Sequence, residues 1–196
     1  SQPIAGMPDD LTAAIKKAYQ DANDQVTGIQ FVGGGAPAGS GVFGLSLVIQ
    51  CKDSAKMKDL LADSAGIAQG LIKHFGKDEP DANGIVVKYV KGIETVGQIS
   101  ADAIVVEAPS LEKMEEADRA EMKKVLGEDN IRVRVFATDK NTVVMTIGGS
   151  GAFFAEAVKA ATAGAGNKIG TDANSLAAMK HLPAERNMVA LFSASN

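Results

Sequence analysis

The chain places a serine inside a glycine-rich turn, a setting in which serine can be a nucleophile or help to hold an anion. Gly149, Ser150 and Gly151 follow an apolar stretch typical of a strand and precede a stretch typical of a helix. Backbone N–H groups at a helix N-terminus bind anions, and hydrolases carry their nucleophilic serine on a sharp strand-to-helix turn. That nucleophile motif has glycine where Ala152 stands. The ordinary alternative is that Ser150 caps the helix.

Serine catalysis also needs a base, and the histidines of the chain are His74 and His181. Neither stands in a recognisable pattern with Ser150. Two histidines and the single Cys51 form no motif of a transition-metal site. We therefore expect no catalytic residue, no metal site and no cofactor.

A second glycine-rich segment covers residues 33–41. Gly34 and Gly39 have the spacing of the two glycines in a phosphate-binding loop, but that loop continues with lysine and a helix. Here Ser40 comes next, and a strand follows. The segment is interpreted as a flexible hairpin loop, with a ligand- or partner-contacting role for Gly34, Gly39 and Ser40 as the alternative.

Two arginines alternate with apolar residues in a predicted strand. Arg132 and Arg134 therefore point to one face of a sheet, and Lys88 joins them if its strand lies nearby. Such a basic face could bind an anionic polymer or an acidic partner. Alternating cations also simply solubilise an exposed sheet face, and the sequence leaves both interpretations open.

The composition is that of a soluble globular protein. Of 196 residues, 45% are hydrophobic and 22% are charged, with 20 Lys and Arg against 24 Asp and Glu. The resulting formal charge of −4 repels polyanions, so nucleic acid is not an expected partner. No apolar run reaches the roughly 20 residues of a membrane-spanning helix, so no transmembrane segment is predicted.

Hydrophobic periodicity predicts helices and strands in alternation along the chain. A helix begins at Asp9, and Asp53 or Ser54, then Ser110, then Ser150 cap three more. Strands are predicted over 26–32 and 43–51, in a hairpin over 85–106, in a second hairpin over 131–147 and over 188–192. A short helix is predicted over 175–181.

Two strand-to-helix junctions have the same pattern. The alternating strands that end at Cys51 and Ile147 each lead after three residues to a serine, Ser54 or Ser150, with an offset of 96 residues. We interpret this as two duplicated helix-strand-strand-helix units, residues 1–98 and 99–196. The predicted fold is α+β, with a mostly antiparallel sheet and helices packed on one face. The units can also merge into one domain, which the pattern leaves open.

The stretch from Val135 to Ser150 and its small-residue helix resemble a recurring segment of uncharacterised bacterial envelope and secreted proteins. Leu182-Pro183 is similar to the start of a repeat unit in these proteins, and the junction from Leu45 to Leu61 is similar to their earlier unit. The families carry domains of unknown function. The resemblance implies an extracytoplasmic domain that is not an enzyme, and it implies no particular ligand.

The expected function is therefore that of a structural or protein-interaction module in a larger bacterial protein. Its protein partner and its oligomeric state stay open. The alternative is a small-molecule or anion-binding domain that uses a cleft between the two halves. In that case Gly149, Ser150 and the loop 33–41 would lie at the mouth of the cleft.

Overall fold

A computed structural model describes residues 6–77, 82, 84–112 and 114–162 of the chain. The elements predicted for residues 175–181 and 188–192, together with His181 and Leu182-Pro183, lie outside the described residues. Eleven elements follow one another in the described part: α1 (Asp9–Gln25), β1 (Val26–Gly35), β2 (Phe43–Cys51), α2 (Ser54–Phe75), β3 (Val86–Val96), β4 (Ile99–Glu107), α3 (Pro109–Glu112), α4 (Glu116–Leu126), β5 (Ile131–Asp139), β6 (Thr142–Gly148) and α5 (Ser150–Thr162).

The strands form one six-stranded sheet in the order β1-β2-β6-β5-β4-β3, and every neighbouring pair is antiparallel. The α+β fold and the antiparallel sheet predicted from the sequence are thus confirmed. The boundary expected at residue 98 falls in the turn between β3 and β4, which pair with each other. Described strands of both expected units therefore belong to a single sheet.

Alternate residues of the strands build two separate hydrophobic cores, one on each face of the sheet. On the face that α2 covers, the first core contains Ile49, Val135 and Val143 with Met57 and Leu60 of the helix. We call this the α2 face. The second core lies on the opposite side and consists of Ala101, Phe136, Val144, Phe154 and Val158, of which the last two belong to α5. We call that side the α5 face.

The expectation of helices on one face is therefore corrected. Helix α1 packs on α2, but α5 crosses to the other side of the sheet. Three consecutive residues with positive φ, Gly148 at 75°, Gly149 at 67° and Ser150 at 53°, redirect the chain between β6 and α5. The hydrophobic pattern of the helix contains no information about this turn, so the pattern could not predict which face α5 covers.

The structure does not confirm the duplication expected from the two strand-to-helix junctions. In the pairing of β2 with β6, Val48 lies opposite Val144, and these two residues are separated by the offset of 96. The equivalent helices α2 and α5, however, cover opposite faces. The duplicated helix-strand-strand-helix unit therefore remains a prediction.

Two predicted helix starts can be compared with the structure. Asp53 is the N-cap of α2, because its Oδ1 accepts hydrogen bonds from the N–H groups of Ala55 at 2.9 Å and Lys56 at 3.1 Å. The single helix expected after Ser110 is instead divided into the short α3 and the longer α4. Helix α4 ends at Gly127, which adopts the left-handed conformation that favours glycine at a helix end.

Candidate functional site

The two glycine-rich segments singled out in the sequence lie next to each other. Val42 N–H donates to the carbonyl of Val125 at 3.0 Å, which fixes the loop after β1 to the end of α4. Gly127 lies against both segments. A Cβ added to Gly127 would collide with the backbone of Ser40 and would lie 3.1 Å from the backbone nitrogen of Ser150. Ser40 is buried at this junction. The loop expected to be mobile is thus anchored on its C-terminal side.

Not all of the predicted ligand-binding residues take part in this junction. A Cβ added to Gly34 or Gly39 would meet no atom within 4 Å, so the space on the side-chain side of both glycines is open. Ser150 Oγ lies 3.4 Å from the N–H of Ala152, the contact of a helix-capping side chain. The structure therefore brings Ser40, Gly149, Ser150 and Gly151 together and leaves Gly34 and Gly39 apart from them.

The N-terminus of α5 already has a carboxylate beside it. A Cβ added to Gly151 would collide with the side chain of Glu94, so the carboxylate of Glu94 rests directly against this turn. A carboxylate near a helix N-terminus is stabilised by the unpaired N–H groups and the helix dipole. Because this negative charge belongs to the protein, an external anion would be repelled from the same position.

The residues expected to form a basic face do share the α5 face, but Arg134 and Lys88 form ion pairs with carboxylates. Lys88 and Arg132 both lie opposite Val105 in adjacent strands, and Arg134 lies two residues further along β5. Arg134 is only 3% exposed, and it pairs through Nε with Glu94 at 2.7 Å and through Nη2 with Glu128 at 2.5 Å. Lys88 forms an ion pair with Glu107.

The expectation of a free basic surface is therefore corrected. Arg134 is part of the interior, and Nε of Arg132 is also buried, with no hydrogen-bond partner among the described residues. Charged groups that are buried are held by partners of opposite charge because isolated charges are costly to desolvate. Arg134 therefore belongs to the interior of the protein and does not contribute to a cationic surface.

The α2 face carries a second polar cluster. Asp102 accepts hydrogen bonds from the Tyr89 hydroxyl at 2.7 Å and from Gly92 N–H at 2.9 Å, and it pairs with Lys58 at 2.8 Å. Burial tends to raise the pKa of Asp102, but the hydrogen bonds from Lys58, Gly92 and Tyr89 outweigh burial and hold that pKa below its usual value. Burial, together with the hydrogen bond to Asp102, raises the pKa of the Tyr89 hydroxyl.

The Tyr89–Asp102–Lys58 cluster adjoins a surface pocket of 350 Å³ that Ser54, Asp59 and Lys91 also line. The hydrogen bonds that Asp102 accepts come from groups of the protein itself. Near neutral pH the Asp102 carboxylate stays ionised and the Tyr89 phenol stays protonated. Neither group is therefore poised to exchange a proton at pH 7. The cluster has the properties of a structural network.

No catalytic arrangement forms around Ser150 in the described part of the chain. His74 Nε2 lies 2.6 Å from the carbonyl oxygen of Gly6, and its helix α2 covers the face opposite to α5. Among residues 6–162 that are described, no group of three or more His, Cys, Asp and Glu side chains is arranged to hold a metal ion. No described helix is both long and apolar enough to cross a membrane.

The candidate functional surface is instead the edge of the sheet formed by β1. No residue of this strand is buried, and Ile29 and Phe31 are 52% and 48% exposed. Both point to the α2 face, because they lie opposite Ile49 and Leu47 in the first core. Phe43 and Leu45 of β2 extend this exposed apolar surface on the same face. We call these four side chains the edge patch.

The hydrogen-bonding groups of β1 alternate between the inner and outer sides of the strand. Ala36 N–H donates to the carbonyl of Val42, so even-numbered residues point their backbone groups toward β2. Ile29, Phe31 and Gly33 therefore direct their N–H and C=O groups outward, where the described part of the chain provides no neighbouring strand. Such a row of unpaired groups is a template for another strand.

The sequence contains a signal for this surface that the analysis of motifs and periodicity missed. From Val26 to Cys51 the chain has no charged residue over 26 positions, whereas the average charged fraction of 22% would give about six. Natural sheet edges are normally protected by charges, by proline or by bulges. The opposite edge, β3, follows that rule, with Lys88, Lys91 and Glu94 and a register shift between Val90 and Glu94.

Comparison of the chain with protein-family models, with curated protein sequences and with solved structures found no match.

Proposed function

We propose that the protein is a non-enzymatic interaction module that binds protein partners by adding a strand to the outer edge of β1. The observation that carries the proposal is an edge without charged residues and, in the described part of the chain, without a neighbouring strand, with Ile29 and Phe31 exposed beside outward-facing backbone groups. In strand addition, main-chain hydrogen bonds supply affinity and alternate side chains supply specificity. β1 offers both kinds of contact.

The partner should present an extended segment with apolar residues at alternate positions. Such residues would lie beside Ile29 and Phe31, on the α2 face of the extended sheet. The rest of the molecule has a formal charge of −4, but the edge itself contributes no charge. Recognition at this surface therefore depends on shape, apolar contact and backbone hydrogen bonds.

The wider setting of the module is also part of the proposal. The resemblance of residues 135–150 to segments of bacterial envelope and secreted proteins favours a module of a larger, extracytoplasmic protein. We do not extend the proposal to anion binding in a cleft, because the Glu94 carboxylate lies against Gly151 at the turn where an anion would bind.

Photo-cross-linking tests the proposed function. A benzophenone amino acid replaces Phe31 in β1 or, as the matched control, Val86 in the opposite edge strand, which is 40% exposed. We expect covalent protein adducts from position 31 and few from position 86 after irradiation in producing cells. Equal labelling at both positions, or none at position 31, would contradict the proposed function.

A further inference from the structure

We infer that one occupant of the β1 edge is a second copy of this chain, paired antiparallel through β1 about a two-fold axis at Gln30. The inference rests on the proposed function, because it specifies the partner of the same edge. It joins two six-stranded sheets into one sheet of twelve strands. The argument comes from the order of residues in β1 and from the direction of its backbone groups.

β1 is complementary to itself in this register. With Gln30 opposite Gln30 of the other copy, Ile29 of one copy lies opposite Phe31 of the other, and the reverse pair forms as well. Aromatic residues opposite β-branched residues are among the favourable cross-strand pairs. On the other face of the sheet, Gly28 lies opposite Val32, where the glycine leaves room for the valine. No like charges meet, because β1 contains none.

The backbone groups fit the same register. Ile29 and Phe31 direct their N–H and C=O groups outward, so these two residues of opposite copies would exchange both of their hydrogen bonds. Gln30 then occupies a position at which neighbouring strands approach most closely, with Cα atoms about 4.5 Å apart. The register shift between Val26 and Gly28 lies outside this central segment.

The two-fold symmetry of this arrangement also favours a second copy of the chain over an unrelated strand at the β1 edge. A two-fold axis perpendicular to the sheet keeps the α2 faces of both copies on the same side. Ile29 and Phe31 of the two copies then adjoin across the new pair of strands, while Phe43 and Leu45 of each copy lie one strand further from the axis. The outer sides of Ile29 and Phe31, which are exposed in one chain, become covered by the same two residues of the other copy.

Engineered cysteines test the register. Gln30→Cys places two thiols opposite each other at a distance that a disulfide can span. Val32→Cys is the control on the same strand and face. It lies opposite residue 28 of the other copy, so the two introduced cysteines are about 14 Å apart at about 3.4 Å per residue. The native Cys51 is buried, so the unmodified chain controls for its thiol.

Under mild oxidation we expect Gln30→Cys to give a disulfide-linked dimer and Val32→Cys to stay monomeric. Sedimentation velocity of the otherwise unmodified protein should show a dimer, whose dissociation constant Phe31→Lys raises about tenfold or more. Val86→Lys, on the opposite edge, should leave that constant unchanged. Equal cross-linking of both cysteine variants, or a monomer at all concentrations, would overturn the inference.

The outcomes for the two proposals can be told apart. If the purified protein is a monomer but the photoprobe at position 31 gives adducts with other proteins, the interaction function holds and self-pairing is wrong. If the adduct at position 31 has twice the mass of the chain and contains only its peptides, both proposals are supported. If position 31 gives no adduct and the protein is monomeric, both fail.

Discussion

Arg134 lies in the interior of the protein, although its alternation with apolar residues in the sequence suggested an exposed face of the sheet. Alternation in β5 placed it with Arg132 on one face, as predicted, but the loop after α4 and the irregular segment of β3 supply Glu128 and Glu94 on either side of it. Residues that are far apart in sequence neutralise its charge. No local pattern could have indicated this pairing, whereas the shared face followed directly from a period of two.

Removal of the Arg134 side chain should be strongly destabilising. Arg134→Ala leaves the carboxylates of Glu94 and Glu128 partly buried without their partner, so we expect unfolding to cost about 3 kcal/mol less than in the unmodified protein. Lys17→Ala removes an exposed ion pair with Asp21 and should leave the stability nearly unchanged, because water screens that pair. Urea denaturation measures both; similar small losses would show that the buried network contributes little.

Asp102 should give the protein a component of stability that acid removes. Its native pKa is lowered, so its contribution is complete above about pH 4, the ordinary value in an unfolded chain, and declines as the pH falls through the native value. We expect Asp102→Asn to be less stable by about 2 kcal/mol at pH 7 and the difference to shrink at lower pH. A difference that stays constant from pH 7 to pH 3 would contradict this role.

At the scale of elements, the turn between β6 and α5 decides the layering of the fold. Most helices and strands could be predicted from hydrophobic period, and Asp53 could be identified as a cap from its residue type. The face that α5 covers could not, because it depends on the signs of φ at residues 148–150. Gly44 completes the arrangement, since a Cβ there would collide with the ring of Phe153 in α5.

Substitution at Gly149 should therefore cost more than backbone strain alone. An added Cβ would collide with Phe153 and approach Ala36 at 3.3 Å, and φ is 67°. Gly97 has a similar φ of 60° but no atom within 4 Å of an added Cβ. We expect Gly97→Ala to lose about 1 kcal/mol and Gly149→Ala about 3 kcal/mol, measured by thermal or urea unfolding. Equal losses would mean that the crossing of α5 is not sterically constrained at Gly149.

At the scale of the whole molecule, the order of strands determines which surface is open. Among the strands that the structure describes, β1 stands at the end of the order β1-β2-β6-β5-β4-β3, which leaves its outer side without a neighbouring strand. Strand order arises from long-range pairing, which periodicity cannot encode. The absence of charge from Val26 to Cys51 was readable in the sequence, and together with the strand order it is the basis of the interaction function proposed for β1.

Hydrogen exchange at single residues of β1 tests the central claim most directly. The amides of Ile29, Phe31 and Gly33 point outward and should exchange rapidly in dilute protein, while those of Gly28 and Val32 are protected by β2. We expect the outward amides to become protected as protein concentration rises, and Phe31→Lys to abolish that gain. Outward amides that exchange equally fast at every concentration, and with every strand-forming partner found by cross-linking, would contradict an interaction edge at β1.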